Sequence, residues 1–338
     1  MSSLPRMAIV VPVFDGAATL GECLAALLPG VADGDEIVVV DDGSRDGSAG
    51  IAEAAGVRII RQAVNGGQAA ARNVGVGATS GDVVLFVDAD VVVAPDVIAR
   101  VRQILATRAE IGAVFGSYDD RPRAGGVVSA YRNLLHHYVH QRGAAEAFTF
   151  WAGCGAVRRA AFEQVDGFDE RPWRRAIEDI ELGYRLRAAG HRLLLDPTLF
   201  CTHLKRWTLR SMLWTDTASR ALPWTRLMIE TPGAGSDLNL TLAQRLSVAL
   251  VGGGLATGVT ALVWPMLLWA ALAAFGTVAF LNRDFYGYLA RRRGAAFAAA
   301  SIPLHLLYFV CSGVGFAWAW AGWAAGQRAP GTARRASA

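Results

Sequence analysis

Two carboxylates, Asp88 and Asp90, directly follow an apolar run in this sequence, Val83–Val87. An unbroken, mostly β-branched run of this kind is typical of a strand buried on both faces of a parallel sheet. Folds of the α/β class keep their ligand crevices at the carboxyl ends of such strands. Carboxylates there need a positive partner, because burial alone would not tolerate their charge. Mg²⁺ or Mn²⁺, held jointly by carboxylates and by substrate phosphate, is the partner that this chemistry favours.

A second acidic pair, Asp41 and Asp42, follows the apolar run 36–40 and opens the segment DDGSRDGS. Asp42 is the candidate for accepting a hydrogen bond from a nucleotide base or a ribose hydroxyl. The alternative is a D-G-S turn whose Asp and Ser side chains satisfy local backbone groups. Asp88 and Asp90 would likewise be a plain acidic turn if D-x-D stood alone, because that motif has low specificity.

A third acidic group, Glu178, Asp179 and Glu181, begins an apparent helix, 179–189, that ends at Gly190. A helix N-terminus stabilises an ionised carboxylate, so Asp179 is suited to accept a proton at neutral pH. Glu178 and Glu181 compete with Asp179 for that role. The alternative is that all of them are ordinary first-turn acids of a capped helix.

Alternating strands and helices must position these carboxylates. The predicted strands are 7–13, 36–40, 57–60 and 83–87, and the helices between the first three are 19–28 and 48–55. This order predicts a right-handed βαβ series with a nucleotide site at the carboxyl edge of its sheet. The fold class is therefore α/β.

A glycine turn, Gly66 and Gly67, opens a further helix of small residues. Glycines let a backbone approach phosphate closely, and a helix N-terminus favours anions. The turn lacks the Gly-Lys-Ser/Thr ending of a Walker loop and the G-x-G-x-x-G spacing of a dinucleotide site. Arg72 on this helix either faces a phosphate or lies on the helix surface.

The composition of the chain changes towards its C-terminus. Segments 246–281 and 295–327 contain no Asp, Glu, Lys or Arg. A membrane-spanning helix needs about 20 apolar residues, so the first segment allows two spans that meet near Trp264 and Pro265, and the second allows one. We expect about three transmembrane helices in 241–327, a soluble domain in 1–205, and a polar tail in 328–338.

Tryptophan and arginine alternate in the linking segment 206–240, which indicates amphipathic helices in the lipid headgroup layer, broken in two by Pro223. Arg283 and Arg291 to Arg293 lie between the second and third predicted spans. By the positive-inside rule that loop is cytosolic, which places the large domain in the cytosol and the protein in the plasma or inner membrane. The N-terminus lacks the pattern of a signal peptide.

Charge and cysteine content exclude several other classes. The formal net charge is +4 among 338 residues, and the positive residues gather near the apolar segments. Anionic lipid headgroups are therefore a better partner than nucleic acid. The four cysteines are scattered without metal-ligand spacing, which argues against a zinc site and against a disulfide framework.

Six segments stand in one order: VPVFD (11–15), VVDDGSRDGS (39–48), NGGQAAARNVG (65–75), FVDAD (86–90), GCGAVRRAAFEQVDGFDE (153–170) and EDIELGYRL (178–186). Together they resemble family 2 glycosyltransferases of the GT-A fold, and the likeness covers roughly residues 7–205. The resemblance implies a mixed, mainly parallel sheet and an inverting transfer of a hexose or similar sugar from a nucleotide-sugar.

The resemblance also implies roles for individual residues. It assigns Asp88 and Asp90 to Mn²⁺ or Mg²⁺, with His203 as a further ligand, and it favours Asp179 as the base, with Glu178 beside it. The positions implied in nucleotide-sugar binding are Pro12, Val13, Phe14, Asp15, Asp42, Gly67, Arg72 and Asp88. Such a metal would act as a Lewis acid on the departing diphosphate. Trp151 and Trp173 either stack on a sugar or lipid, or belong to the core.

A sugar transferase with such an anchor implies an acceptor embedded in lipid, such as a polyprenyl phosphate or a hydroxylated membrane lipid. Polysaccharide synthases of the family carry a Q-x-x-R-W segment, of which Lys205, Arg206 and Trp207 preserve only part. Two further functions are compatible with these residues. One is a catalytically inactive GT-A membrane scaffold, and the second is a nucleotidyltransferase, which would release pyrophosphate.

Overall fold

A computed structural model of the chain describes residues 4–171, 173, 176–231 and 238–326. The chain forms two compact units. The first comprises the chain up to Thr208 together with Gly235–Thr241, and the second comprises Leu209–Ala234 and the chain from Leu242 onwards.

One sheet organises the first unit, and its parallel half contains the predicted strands. These strands are β1 (Met7–Val13), β2 (Glu36–Asp41), β3 (Arg58–Arg61) and β4 (Val83–Val87). They lie in the order β3-β2-β1-β4, with all neighbours parallel. Every residue of β1 and β4 is buried, as an unbroken apolar run predicts for a strand that is covered on both faces.

The other half of the sheet makes it mixed. Its strands are β5 (Val91–Val93), β6 (Ile111–Tyr118), β7 (Glu146–Ala147), β8 (Cys154–Arg158) and β9 (Arg192–His203). β8 is antiparallel to β4 and β6, whereas β6 and β9 are parallel. β5 and β7 add to β9 as antiparallel strands. The predicted α/β class with a mixed sheet is confirmed.

Helices cover both faces of the sheet. They are α1 (Leu20–Leu27), α2 (Ser48–Ala54), α3 (Gln68–Gly77), α4 (Val97–Thr107), α5 (Val127–Arg142), α6 (Arg159–Gln164) and α7 (Glu178–Ala188). Gly67 precedes α3 at φ +92°, a backbone conformation in which a side chain would be strained. The segment 153–170 begins with strand β8, which pairs with β4 and β6.

The core consists of two layers that follow the alternation of the strands. Along β1, Ile9 and Val11 pack with α1 and α4 on one face, whereas Ala8 and Val10 pack with α3, α6 and α7 on the other. Burying one Val, Leu or Phe side chain stabilises the fold by about 1.5–3 kcal/mol. The two apolar layers therefore fix the sheet, and with it the carboxyl edge where the strands end.

A buried ion pair ties the loop before β2 to the start of β1 and to α4. The Asp35 carboxylate accepts hydrogen bonds from Arg102 Nη1 (2.9 Å), from the Met7 amide (2.9 Å) and from the Ala32 amide (2.8 Å). Burial alone would raise the pKa of Asp35, but these hydrogen bonds and the Arg102 charge hold that pKa below its usual value.

Asp35→Asn is expected to lower the free energy of unfolding by about 1.5–3 kcal/mol at neutral pH, because hydrogen bonds to a charged group are lost. The ionised carboxylate stabilises the fold above its unfolded pKa of about 3.9, and that stabilisation disappears as the pH falls through the lower folded value. Denaturant titrations at neutral and acidic pH measure the difference. Exposed Asp33→Asn is the matched control and should change little; an Asp35→Asn deficit that persists in acid would contradict the assignment.

The second unit is helical throughout its described part. Its elements are α8 (Leu209–Trp214), a π-helical turn (Thr215–Ala221), α9 (Leu222–Glu230), α10 (Leu242–Thr260), α11 (Leu267–Leu281), α12 (Arg283–Arg293) and α13 (Ala295–Ala324). The sequence predicts that Pro223 breaks this segment in two, whereas α8, the π-helical turn and α9 follow one another without a gap. Pro223 occupies the first turn of α9, directly after the π-helical turn, where its missing N–H is tolerated.

Two helices of this unit, α10 and α13, are long and apolar enough to cross a membrane. The break between α10 and α11 contains Trp264 and Pro265, where the sequence places it. At 15 residues, α11 is shorter than the roughly 17–25 residues of a typical span. The count of about three spans therefore stays a prediction.

Candidate active site

The loops after β1 and β2 are joined to each other at the carboxyl edge of the sheet. The Asp15 amide donates to Ser44 Oγ (3.0 Å), and Asp15 Oδ1 accepts from the Arg45 amide (2.8 Å). Asp46 Oδ2 accepts from the Ala17 amide (2.9 Å). The segment DDGSRDGS therefore holds the loop that follows β1. Asp15 adopts φ +48°, so its backbone conformation belongs to this turn as well.

The other predicted nucleotide contacts from β1 lie beside that turn. Pro12 and Val13 are the last residues of β1 and pair with Val40 and Asp41 of β2. Phe14 follows with 52% of its surface exposed. An exposed ring at the carboxyl edge of a parallel sheet is placed where a base or ribose would bind in this fold class. Its role in nucleotide binding stays a prediction.

Asp42 closes the glycine turn. Its Oδ1 accepts from the Gly66 amide (2.7 Å) and its Oδ2 from the Gly67 amide (2.8 Å), and the residue is only 3% exposed. Asp42 therefore satisfies backbone groups, as the turn interpretation expects, but those groups belong to the glycine turn and not to its own segment. Its neighbour Asp41 makes the local contact, accepting from the Ser44 amide at 2.8 Å. A contact between Asp42 and a nucleotide stays a prediction.

Arg72 is buried at the centre of the site rather than on the helix surface, and a contact between Arg72 and a phosphate stays a prediction. It is 1% exposed and reaches from α3 to both acidic motifs. Its Nη2 donates to Asp88 Oδ1 (2.7 Å) and its Nη1 to Glu178 Oε1 (2.6 Å). Burial disfavours the arginine charge, but the carboxylates of Asp88 and Glu178 raise the pKa of Arg72 above its usual value. Arg72 therefore joins the D-x-D motif to the E-D motif.

Glu178 and Asp179, adjacent in the first turn of α7, have different surroundings. Glu178 is 1% exposed and accepts hydrogen bonds from Arg72 and from Gln68 Nε2 (2.6 Å). Burial raises the pKa of Glu178 against the opposing charge of Arg72. Asp179 is half-buried, and its Oδ2 accepts from the Ala152 amide at 3.2 Å. Because Glu178 is buried, an acceptor reaches it less easily than Asp179, which favours Asp179 as the base. The role of Asp179 stays a prediction.

Asp90 and His203 meet at the end of the β5–β9 pair. Val91 is opposite His203 in that pair, and His203 Nε2 lies 3.3 Å from Asp90 Oδ2. Burial alone would raise the pKa of Asp90, but its hydrogen bond with His203 and the charges of His203 and Lys205 hold that pKa below its usual value. The Tyr118 ring stacks on His203, with centroids 4.5 Å apart and planes 9° apart.

A divalent ion fits part of the predicted ligand set. No cluster of three His, Cys, Asp or Glu side chains suited to a metal occurs in the part of the chain that the structure describes, and Asp88 is held by Arg72. Two ligands at about 2.1 Å from one ion, at right angles, would lie about 3.0 Å apart. The 3.3 Å between Asp90 Oδ2 and His203 Nε2 is close to that separation. This separation is also that of an ordinary ion pair, so a metal-ligand role for Asp90 and His203 stays a prediction.

Trp151 packs as a core residue. Its ring meets the Tyr118 ring edge-on at 4.9 Å, and it contacts the apolar layers on the sheet. The core alternative for Trp151 is therefore supported. Trp173 has the Arg171 guanidinium 5.6 Å from its ring centroid. Its neighbours 172, 174 and 175 lie outside the described residues.

Sequence reasoning missed the bridge that Arg72 makes, although a signal for it exists. Arg72 stands three residues after Ala69 and four before Val76, both of which are buried. This spacing puts Arg72 on the apolar face of its helix, where an arginine must meet carboxylates. The partners themselves lie 16 and 106 residues away in sequence, and no local pattern names them.

The N-terminal part of the chain is similar in sequence to known glycosyltransferases. The profile of glycosyl transferase family 2 matches residues 8–166. The glycosyltransferase GlyG of Streptococcus pneumoniae serotype 4 is 30% identical over 161 residues, which are 46% of this chain and 53% of that protein. The validoxylamine A glucosyltransferase of Streptomyces hygroscopicus is 28% identical over 223 residues, 56% of this chain and 53% of that protein. The chain thus spans about half the length of these curated relatives.

Solved structures share the fold. A mannosyltransferase from Pyrobaculum calidifontis, in complex with GDP-Man and Mn²⁺, has a TM-score of 0.60 at 20% identity and covers 94% of this chain and 88% of its own. GalNAc-T7 with UDP, GalNAc and Mn²⁺ has a TM-score of 0.50 at 18% identity, covering 68% of this chain and 48% of its own. These likenesses concern the fold, which is GT-A. Over residues 8–166, the chain is similar to glycosyl transferase family 2.

Proposed function

We propose that this protein is a membrane-anchored, inverting glycosyltransferase that moves a sugar from a nucleotide-sugar to a lipid-linked acceptor. The observation that carries the proposal is the Arg72 bridge, which brings Asp88 of one motif and Glu178 of the other to one buried cation. The Asp179 carboxylate accepts a hydrogen bond from the Ala152 amide. Gly153, which follows Ala152, accepts a hydrogen bond from the Asp88 amide through its carbonyl oxygen. This juxtaposition supports transfer, which needs diphosphate on one side of the sugar and a base on the other.

The residues divide the chemistry between them. Asp90 and His203 would hold Mn²⁺ or Mg²⁺, which supplies Lewis-acid neutralisation of the departing diphosphate; the Mn²⁺ complexes of the two structural relatives support this choice. Asp179 takes the proton of the acceptor hydroxyl, and the N-terminus of α7 favours its ionised form. Arg72 and Gln68 keep Glu178 in place beside Asp179.

The second unit supports the membrane part of the proposal. A donor in water and an acceptor in lipid require the active site to be held at a bilayer surface. The lengths and composition of α10 and α13 suit that anchor. The exposed Arg291, Arg292 and Arg293 at the end of α12 favour a cytosolic side for this loop and for the catalytic unit.

The experiment is a release assay with the purified protein in lipid vesicles. A panel of nucleotide-sugars is supplied with Mn²⁺ or Mg²⁺ and total membrane lipid. We expect one donor to yield nucleoside diphosphate, chelation to stop the release, and labelled sugar to enter the lipid fraction. Pyrophosphate release would indicate a nucleotidyltransferase, a lengthening polymer would indicate a polysaccharide synthase, and nucleotide binding without release would indicate a scaffold.

Asp90→Asn is expected to raise the Mn²⁺ concentration for half-maximal activity at least about tenfold, because an amide replaces the anionic ligand. Titration of Mn²⁺ by electron paramagnetic resonance gives a binding constant that does not depend on turnover. Asp96→Asn, which alters an exposed carboxylate 3.6 Å from Arg100, is the matched control. Equal Mn²⁺ affinity in Asp90→Asn and in the wild type would remove Asp90 from the metal site.

A further inference from the structure

Two cations share one tryptophan just after β9. The Lys205 Nζ atom lies 4.4 Å, and the Arg132 Cζ atom 5.0 Å, from the ring centroid of Trp207. We call Arg132, Lys205 and Trp207 the Trp207 cluster. Cations near an aromatic ring are attracted to its electron-rich face.

The cluster is held rigidly by α5. Ser129 Oγ accepts from the Trp207 amide (2.9 Å) and donates to the Trp207 carbonyl oxygen (3.3 Å). Ser129 and Arg132 stand three residues apart, on one face of α5. Arg132 is largely buried, so its head group has little freedom to move away. Such support is typical of a preformed binding site rather than of a solvated charge.

Contacts between aromatic rings connect the same helix to His203. His136, four residues after Arg132, lies 4.2 Å from the Tyr118 ring, and Tyr118 stacks on His203 at 4.5 Å. The rings of His203 and Trp207 are 6.4 Å apart. A closed circuit of contacts thus runs from α5 through Tyr118 and His203 to Trp207 and back to α5. The Trp207 cluster therefore has a fixed position beside Asp90 and His203.

Strand pairing brings Lys205 close to Asp90. The Leu204 amide donates to the Asp90 carbonyl oxygen at 2.8 Å, which extends the β5–β9 ladder by one step to the residue before Lys205. The Lys205 charge acts on the Asp90 carboxylate. No carboxylate of a described residue lies within the 4.0 Å of a salt bridge to Lys205. Lys205 is exposed.

Charge balance then calls for a second anion. The buried charge of Arg72 is matched by Asp88 and Glu178. A divalent ion held by Asp90 and His203 would add positive charge to the part of the site that includes Lys205, and like charges repel. The donor diphosphate would offset the charge of the ion, but the exposed charge of Lys205 would remain. A phosphate group on the acceptor neutralises that charge.

The proposed base indicates a second chemical group on the acceptor. Asp179 is placed as a base, and a base serves a nucleophile that must lose a proton, which is a hydroxyl. A phosphate monoester, whose second pKa is about 6, carries little removable proton at neutral pH. The site therefore combines a place for an anion with a place for a hydroxyl.

We propose that the acceptor is a lipid whose headgroup carries both a phosphate, bound by the Trp207 cluster, and a free hydroxyl, which receives the sugar. The inference rests on the proposed function and narrows its acceptor. In the step, the hydroxyl oxygen bonds to the anomeric carbon, and the bond from that carbon to the donor diphosphate breaks. The electron pair leaves with the nucleoside diphosphate, and the hydroxyl proton passes to Asp179.

Four probe lipids in phosphatidylcholine vesicles test this proposal with the full-length protein. Phosphatidylinositol and a polyprenyl diphosphate sugar carry phosphate and hydroxyl, diacylglycerol carries hydroxyl alone, and polyprenyl phosphate carries phosphate alone. We expect sugar transfer to one or both members of the first pair, and which of them reacts identifies the source of the phosphate. Transfer to diacylglycerol or to polyprenyl phosphate at an equal or higher kcat/KM would overturn the inference.

Substitutions in the Trp207 cluster provide a second test of the proposal. Lys205→Met and Arg132→Met are expected to raise KM for the phosphorylated lipid about tenfold or more, with kcat nearly unchanged, because each removes a charge-assisted contact. Lys205→Arg should restore KM. Arg142→Met is the matched control, because Arg142 lies on the same helix and also stacks on an aromatic ring, Tyr138, at 5.3 Å. An unchanged KM in both cluster variants would overturn the inference.

A soluble probe separates failure of the inference from failure of the proposed function. Deacylated glycerophosphoinositol has the same phosphate and hydroxyls without the lipid chains. If it accepts sugar with a Lys205-dependent KM while no lipid does, the phosphate site stands and the lipid acceptor is wrong. If no donor releases nucleoside diphosphate at all, the proposed function is wrong. Calorimetric titration of this probe into wild type and Lys205→Met then tests the phosphate site independently of turnover, and weaker binding to the variant would support the site.

Discussion

Asp179→Asn is expected to lower kcat by about 10²–10⁴-fold, with donor binding nearly unchanged, because the variant keeps the size of the side chain and loses the proton acceptor. The Asp179 carboxylate accepts from the Ala152 and Ile180 amides, one on each oxygen, and the asparagine Oδ1 can keep one of these two hydrogen bonds. Single-turnover transfer in reconstituted vesicles measures kcat, and equilibrium nucleotide binding measures the ground state.

Asp166→Asn is the matched control for that substitution. Asp166 is exposed, its replacement removes the same charge, and it has φ +60°, a conformation that asparagine tolerates well. The variant should keep wild-type kcat. If Asp179→Asn lost less than about tenfold while Glu178→Gln lost more, the base would be Glu178, and the buried carboxylate would have to become accessible during turnover.

The parallel half of the fold is readable from the sequence because its signals are local. Five apolar residues between Asp82 and Asp88 specify β4, and its bounds agree with the prediction. Gly56 and Gly190 end the helices before them at positive φ, 70° and 91°. Helix α5 was not foreseen, since its sequence mixes histidine, arginine and asparagine with apolar residues. These polar groups are buried by contacts with β6, as between His137 Nδ1 and the Tyr118 carbonyl oxygen at 2.7 Å.

The contacts that build the site are remote in sequence, which limits what a single sequence can reveal about them. Asp42 and Gly66 are 24 residues apart, Ser129 and Trp207 are 78 apart, and Arg72 and Glu178 are 106 apart. Motif order predicted the acidic residues of the site, because strand ends collect at one edge. It did not predict which cation each of them meets, since that depends on helix packing across the sheet.

The Arg72 bridge also carries stability, and its removal should be costly. Arg72→Met leaves Glu178 in the core without a cation, which is expected to lower the free energy of unfolding by about 3–5 kcal/mol. Adding Glu178→Gln should recover most of that loss, because a neutral amide needs no counter-charge and still accepts a hydrogen bond from Gln68. The free energy of unfolding that Glu178→Gln restores measures the cost of burying an unpaired carboxylate. The part that is not restored measures the lost packing of the arginine side chain.

The pH dependence of this double-mutant cycle tests its electrostatic cause. Burial holds the pKa of Glu178 above its unfolded value of about 4.3, and removing Arg72 raises it further. Burial raises the pKa of Glu178 in the wild type to about 7, so below that pH the folded carboxyl is protonated in wild type and variant alike, and the deficit of Arg72→Met should be smallest there. Ionisation of the unfolded state cancels in the comparison. The deficit should grow as the pH rises above about 7, where Glu178 ionises beside Arg72 in the wild type and stays protonated in the variant.

Arg158→Met is the matched control for the Arg72 cycle. Arg158 is half-buried, but it donates to backbone carbonyl oxygens, including those of Ile111 (2.8 Å) and Leu105 (2.7 Å), rather than to a carboxylate. Its deficit should therefore be smaller and should not change between about pH 5 and pH 8, whereas the Arg72→Met deficit should grow over that interval. Denaturant titrations at the two pH values give both numbers. A pH-independent Arg72→Met deficit, or one that Glu178→Gln does not reduce, would mean that Arg72 stabilises the core by packing rather than by its charge.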